Sequence, residues 1–176
     1  PPPPPHPPPA PLFFFHEDDG IRDSSTSRWL GDVYKRQIMF LVTLMKISIL
    51  KSKLHRATIT NTHLDYEGSC AIDGELLNAS DISEYEMIHI YNLVNGERFT
   101  TYAIKAESGS GIITLNGAAA FKGNKNDKVK ICTYSEINKK DIKKHTPKLI
   151  YFKNDSNIID KIKSSIPVQR NNVVSI

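Results

Sequence analysis

Apolar and polar residues alternate with period two through much of the chain between positions 46 and 152. The clearest case is "MIHIYNLVNGERFTTYAIKA". Met87 to Leu93 alternate, Asn95-Gly96 follows, and Glu97 to Ile104 return. Strand side chains point to the two faces in turn, and Asn-Gly favours a tight hairpin. The segment therefore predicts two antiparallel strands joined by a type I′ turn. "MKISILKSKLHRATITNTHLDY" is rich in β-branched residues and alternates in part. "GIITLNG" predicts a short strand closed at Asn116-Gly117, "DKVKICTYS" another, and "PKLIYF" a last one introduced by Pro147. Helical patterns are short: "DGELLNASDI" starts at the capping residue Asp73, and "NKKDIKKH" is stopped by Pro147. Many short strands with turns between them predict a mainly β fold, a small barrel with short helices. The polar tail after Asn154 is expected to be loose, except "SSIPV", expected as an edge strand.

The first 44 residues break this pattern. Nine of the eleven prolines fall in "PPPPPHPPPAP", and "LFFFHEDDGIRDSSTSRWLGDVYKRQ" has neither helical nor strand period. This segment resembles translated sequencing-adapter read-through. The apolar run Ile38 to Met45 is far short of the ~20 residues a membrane helix needs. No small-residue cleavage site follows it, and Met45 is read as the native start. The expected organisation is a non-native or disordered extension over 1–44, a β-barrel domain over 45–154 and a polar tail over 155–176.

Charge changes the picture little. From Met45 to Phe121 there are six Lys/Arg against nine Asp/Glu, and from Lys122 onward thirteen against five. The basic second half has three aromatics and one arginine, so a solvated lysine face is favoured and nucleic acid is not an expected partner. Membrane association is not expected either. Cys70 and Cys132 make no disulfide framework and no metal-ligand spacing, which points to reduced thiols in the cytoplasm.

Four short stretches carry candidate chemistry. In "LKSKLHRA" an extended chain puts Lys51, Lys53 and His55 on one face, a cationic row suited to a dicarboxylate; a solvated edge guarded by lysines is the plainer reading. Arg98 and Tyr102 lie four apart on one strand and share a face with Thr100, while Thr101 points away unless a bulge intervenes. Arginine offers a fork to a carboxylate and tyrosine a proton. "LNGAAAF" combines an amide, Asn116, with the small residues Gly117 and Ala118, which allow close approach; a helix start is equally compatible. "LDYEGSCAID" places Ser69 directly after Gly68, either as an ordinary turn or as a nucleophile.

"KLHRATIT", "LDYEGSCAID", "NGERFTTYAI" and "TLNGAAA", in this order and spacing, resemble the pyruvoyl-dependent aspartate decarboxylase family over about Met45 to Phe152. The resemblance implies a double-psi β-barrel, assembled as a homotetramer with sites between neighbouring subunits. It implies that the chain cuts itself between Gly68 and Ser69 and that Ser69 becomes a pyruvoyl group. No bound metal or other coenzyme is expected. It implies conversion of L-aspartate to β-alanine and carbon dioxide, for pantothenate synthesis. Lys53 and Arg98 would bind substrate carboxylates with His55 close by. Tyr66 would lie beside the cut, Thr101 would assist processing, Tyr102 would donate the proton, Asn116 would steady the intermediate, and Asn116, Gly117 and Ala118 would bind substrate. Tyr91 stands at a wall position that can be tryptophan in the family, and Cys70 where a small residue is common. A maturation-assisting protein is a further partner to consider. Two other readings stay open from the residues alone. One is a pyruvoyl enzyme acting on a longer acid such as glutamate, since one methylene discriminates modestly. The other is a non-enzymatic barrel that binds an acidic partner.

The residue types suit such chemistry. Glycine before the serine tolerates unusual dihedrals and offers little steric resistance to attack on its carbonyl. Serine is a weak nucleophile and needs strain, a base or an oxyanion donor beside it.

Overall fold

A computed structural model describes residues 33–36 and 45–169. The chain divides into two compact units, Pro1–Leu41 and Val42–Ile176. Of the first, residues 33–36 form a single helical turn. The rest of the proposed extension lies outside the described residues, as does the end of the tail.

The second unit is mainly β, with short helices, as the alternation predicts. Its elements are β1 (Lys46–Thr58), β2 (Asn61–His63), β3 (Cys70–Asp73), α1 (Gly74–Ser80), β4 (Met87–Asn92), β5 (Arg98–Ala106), β6 (Ile113–Asn116), β7 (Lys128–Asn138), β8 (Lys148–Phe152) and β9 (Ile159–Lys163). Two 3₁₀ helices, Gly117–Lys122 and Lys139–Lys144, join the later strands. The strand order is β2-β6-β3-β5-β4-β7-β1-β8-β9. β1 and β2 stand far apart in that order yet are joined by two residues, so the sheet curls back on itself. Thr60 seals the join: its N–H and hydroxyl both reach the Ile113 carbonyl, at 2.8 and 3.0 Å.

Alternation decides which side chains fill the interior. Val129, Ile131 and Thr133 of β7 point inward, as do Ile88 and Ile90 of β4. The aliphatic ones meet Leu54, Ile59, Ile72, Ile113, Leu115 and Ile150 in one buried cluster. Each such side chain contributes about 1.5–3 kcal/mol relative to exposure, before chain entropy is counted. The alternate residues of the same strands, Lys130, Cys132, His89 and Tyr91, point to the opposite face, where all but the buried Cys132 are partly exposed.

Asp73 caps α1 as expected, accepting from the Glu75 N–H at 2.7 Å. The same carboxylate accepts from the Gly109 and Gly111 N–H groups at 2.9 and 2.6 Å. It thereby pins the turn before β6 against the end of β3.

Three expectations need correction. The hairpin after β4 is not a type I′ turn, which requires positive φ at both central residues. Only Gly96 has positive φ, 78°, and the closing bond runs from the Asn92 N–H to the Glu97 carbonyl. The loop is Leu93 to Gly96, because Asn92 and Asn95 each fold their side-chain oxygen onto a backbone N–H two residues ahead. The edge strand is Ile159–Lys163, paired antiparallel with β8, and Ser164–Val168 is not a strand. Before it, the buried Asn157 accepts from Thr58 N–H at 2.8 Å and donates to the Thr58 and Gly111 carbonyls. Finally, Lys51 leaves the expected cationic row. It is the extra residue of a bulge between Leu50 and Ser52, and Glu86 holds its ammonium at 2.7 and 2.8 Å.

Candidate active site

The segment between β2 and β3 carries the Gly-Ser pair. Gly68 has φ 97°, a conformation open to glycine and strained for other residues. A Cβ there would stand 3.0 Å from Ile104 Cδ1 and 3.7 Å from the Tyr102 hydroxyl. Ser69 is half-buried, and its carbonyl accepts from the Asn116 backbone N–H at 3.0 Å. Cys70, the next residue, is paired with Ala103 on one side and Leu115 on the other. Gly117 also has positive φ, 56°, and faces the Tyr66 carbonyl. One local assembly thus holds Tyr66, Gly68, Ser69, Tyr102, Asn116 and Gly117, with the exposed Ala118 next in sequence.

Asn116 is 1% exposed, and its Oδ1 is buried with no hydrogen-bond partner among the described residues. An open acceptor in such a place is costly unless something else uses it.

A second assembly lies on the outward face of the sheet. Register places Tyr151, His55, Lys130, Tyr91 and Arg98 in one row across five strands, β8-β1-β7-β4-β5. The adjacent row runs Lys53, Cys132, His89 and Thr100. The Arg98 guanidinium lies 4.4 Å from the Tyr91 ring centre, and Tyr91 and Tyr134 share a hydroxyl contact of 3.1 Å. That contact and partial burial push the Tyr134 hydroxyl up to about 12. Burial, reinforced by Lys53, Lys130 and Arg56, pushes His55 down to about 4, so its ring is neutral at pH 7. Burial also lowers the Lys53 ammonium, and Lys130 adds to this.

The sequence model of the aspartate decarboxylase family matches residues 45–159. The chain is 53% identical to aspartate 1-decarboxylase of Thioalkalivibrio sulfidiphilus over 125 residues, 71% of this chain and 98% of that protein. It is 54% identical to the Nitrosococcus oceani protein of the same name and 52% to that of Azotobacter vinelandii, with the same coverage. The chain belongs to the aspartate decarboxylase family.

In this family member, β5 joins the two assemblies, since Arg98, Thr100 and Tyr102 share its outward face. The β4–β5 register is unbroken from Met87–Tyr102 to Tyr91–Arg98. Thr101 therefore points to the other side, opposite Ile88, and is not brought beside the Tyr102 hydroxyl. Lys53 and His55 remain together, across from Cys132 and Lys130.

Lys130 and Tyr151 are members of this face that sequence reasoning passed over. Lys130 was open to detection, because it alternates with the buried Val129 and Ile131. Tyr151 lies on the short β8, whose parallel pairing with β1 has no local signature.

Proposed function

We propose that this enzyme cuts its own chain between Gly68 and Ser69, converts Ser69 into a pyruvoyl group, and decarboxylates L-aspartate to β-alanine. The observation that carries the reading is the left-handed Gly68, where any side chain would run into Ile104 beside the Tyr102 hydroxyl. In processing, Ser69 Oγ attacks the Gly68 carbonyl carbon, the peptide C–N bond breaks and an ester forms. Loss of the ester carboxylate by elimination, then hydrolysis, leaves the keto group and releases ammonia.

The surroundings suit a pyruvoyl group. Asn116 N–H holds the Ser69 carbonyl that such a group retains, and the open Asn116 Oδ1 lies buried in the same region. The pyruvoyl carbonyl supplies an electron sink for the pair released with carbon dioxide.

The chain's own side chains do the rest. Arg98, steadied over Tyr91, presents its fork to the carboxylate that is kept. Lys53 adds positive charge, with the neutral His55 beside it. Tyr102 supplies the proton to the carbon that loses carbon dioxide. Thr101, on the other side of β5, is assigned to processing, with Gly117 and Ala118 lining the approach.

The two assemblies share β5 but otherwise draw on different strands, and the face bearing Lys53 and His55 is outward. We place each site between neighbouring subunits of a homotetramer, where one copy's cationic face meets another's Ser69. The outward Met87 and Tyr102 are 61% and 41% exposed, which suits such a contact. The parallel pairs β2–β6 and β3–β5 within an otherwise antiparallel neighbourhood support the double-psi form of the barrel. Free, buried Cys70 and Cys132 support a cytoplasmic setting. A maturation-assisting protein would act on the 64–69 segment, most of which is exposed.

Intact-mass analysis of the wild type and Ser69→Ala tests the reading. The wild type should give two fragments, the second starting at a blocked position 69. Ser69→Ala should stay whole and release no β-alanine. An active wild-type chain left intact across Gly68-Ser69 overturns the mechanism.

A further inference from the structure

A cavity of about 210 Å³ opens between β1, β8 and β9. His55, Arg56, Tyr151, Asp160, Lys161 and Lys163 line it. Three features of it are unexplained by the chemistry above.

The first is charge. The Tyr151 ring gathers three ammonium groups, Lys163 at 5.2 Å, Lys161 at 5.9 Å and Lys53 at 6.0 Å from its centre. Of these, Lys161 and Lys163 line the cavity, and Arg56 adds a third cation to its wall. Asp160 is the one carboxylate lining it, and it stands 3.7 Å from Lys161. A ring face offsets part of this repulsion, but concave surfaces of one sign concentrate counter-ions.

The second is backbone. Arg56 is the extra residue of a bulge between His55 and Ala57, and its φ is 60°. Bulges re-aim side chains, and a non-glycine residue held in this region is uncommon. Here the bulge leaves Arg56 on the wall of the cavity. The third is the His55 ring, which lines the cavity and whose buried Nδ1 has no partner among the described residues.

We propose that this cavity is an anion subsite for a small phosphate-sized dianion, separate from the Arg98 carboxylate site. Lys161 and Lys163 supply the charge and Arg56 the fork, with the His55 ring as part of the wall. The subsite adjoins Lys53 and His55, so its effect on turnover rests on the function proposed above. Binding itself does not.

Titration calorimetry with inorganic phosphate, at fixed ionic strength in chloride, tests the proposal on the purified full-length chain. One saturable site per chain is expected. Lys161→Gln combined with Lys163→Gln should weaken it at least ~10-fold, as loss of charge-assisted hydrogen bonds does. Arg56→Gly fits the left-handed backbone, so it should keep the wild-type melting temperature while weakening phosphate similarly. Arg98→Gln should leave binding unchanged. No saturable heat, full binding in the double variant, or loss of binding in Arg98→Gln each overturns the proposal. A chain that binds phosphate but makes no β-alanine overturns the proposed function alone.

Discussion

The Tyr102 hydroxyl stands 3.7 Å from the point that a Cβ on Gly68 would occupy. The proposed proton donor and the proposed cut therefore share one small space. Gly68→Ala places a methyl group there, 3.0 Å from Ile104, on a backbone of φ 97°. Such strain costs about 1–3 kcal/mol. We expect a folded chain that is cut much more slowly, read as the uncut fraction on denaturing gels over time. Wild-type cutting rates in this variant would show that the strained geometry is irrelevant to processing.

Tyr102→Phe keeps the ring and removes the hydroxyl. Processing should proceed, aspartate should still bind, and kcat should fall by about 10²–10⁴, the usual contribution of a general acid. Steady-state β-alanine release by the cut variant is the measurement. Unchanged kcat would assign the proton to another group.

Arg98→Ala should raise KM for aspartate and lower kcat/KM at least ~10- to 100-fold, since a hydrogen bond to a charged group contributes about 1.5–3 kcal/mol. Cutting at Gly68-Ser69 should be unaffected. Tyr91→Leu removes the ring beneath the guanidinium, 4.4 Å away, and should give a smaller loss in the same direction. Equal kinetics in wild type and Arg98→Ala would remove the arginine from the site.

His55 titrates at about 4 when folded, below its ordinary 6.5. Between these values the unfolded chain binds more protons than the folded one, so stability rises with pH. The contribution is complete above about 6.5 and is lost as pH falls toward 4. Urea midpoints measured from pH 7 to pH 4.5 should fall, and His55→Gln should flatten that fall. An identical slope in the variant would assign the acid sensitivity elsewhere.

Asn157→Ala should destabilise the domain by about 1–3 kcal/mol, because it leaves the Thr58 N–H without its side-chain acceptor in a buried place. The midpoint of urea unfolding reports it. An unchanged midpoint would mean the segment after Phe152 is held by β9 pairing alone.

Much of the barrel was legible because alternation is a direct record of which face is buried. Asp73 was legible as a cap for a similar reason: a short carboxylate ahead of a helical period serves the first free N–H groups. The bulges at Lys51 and Arg56 were not. One added residue changes pairing without changing composition, yet it moved Lys51 to Glu86 and left Arg56 on a cavity wall. β9 was hidden by its own chemistry, since a charged strand on a sheet edge reads as a polar tail. In the site, the Gly-Ser pair and the Arg98–Tyr102 spacing were visible in the chain. The assembly of Asn116 against Ser69 was not, because it depends on β3 lying between β5 and β6.

The position of β1 bears on what the molecule would become after the proposed cut at Gly68-Ser69. β1 is on the upstream fragment, yet it lies between β7 and β8 of the downstream one and pairs with both. Two separate polypeptides then share one interior, which formed while they were still a single chain. While joined, the halves met at the high effective concentration of an intramolecular contact; once cut and unfolded, they must find each other by diffusion. Recovery after denaturation should therefore depend on protein concentration in the mature form and not in Ser69→Ala. With the proposed cut, the barrel's shape becomes a history: easy to reach before it, and slow to regain after it.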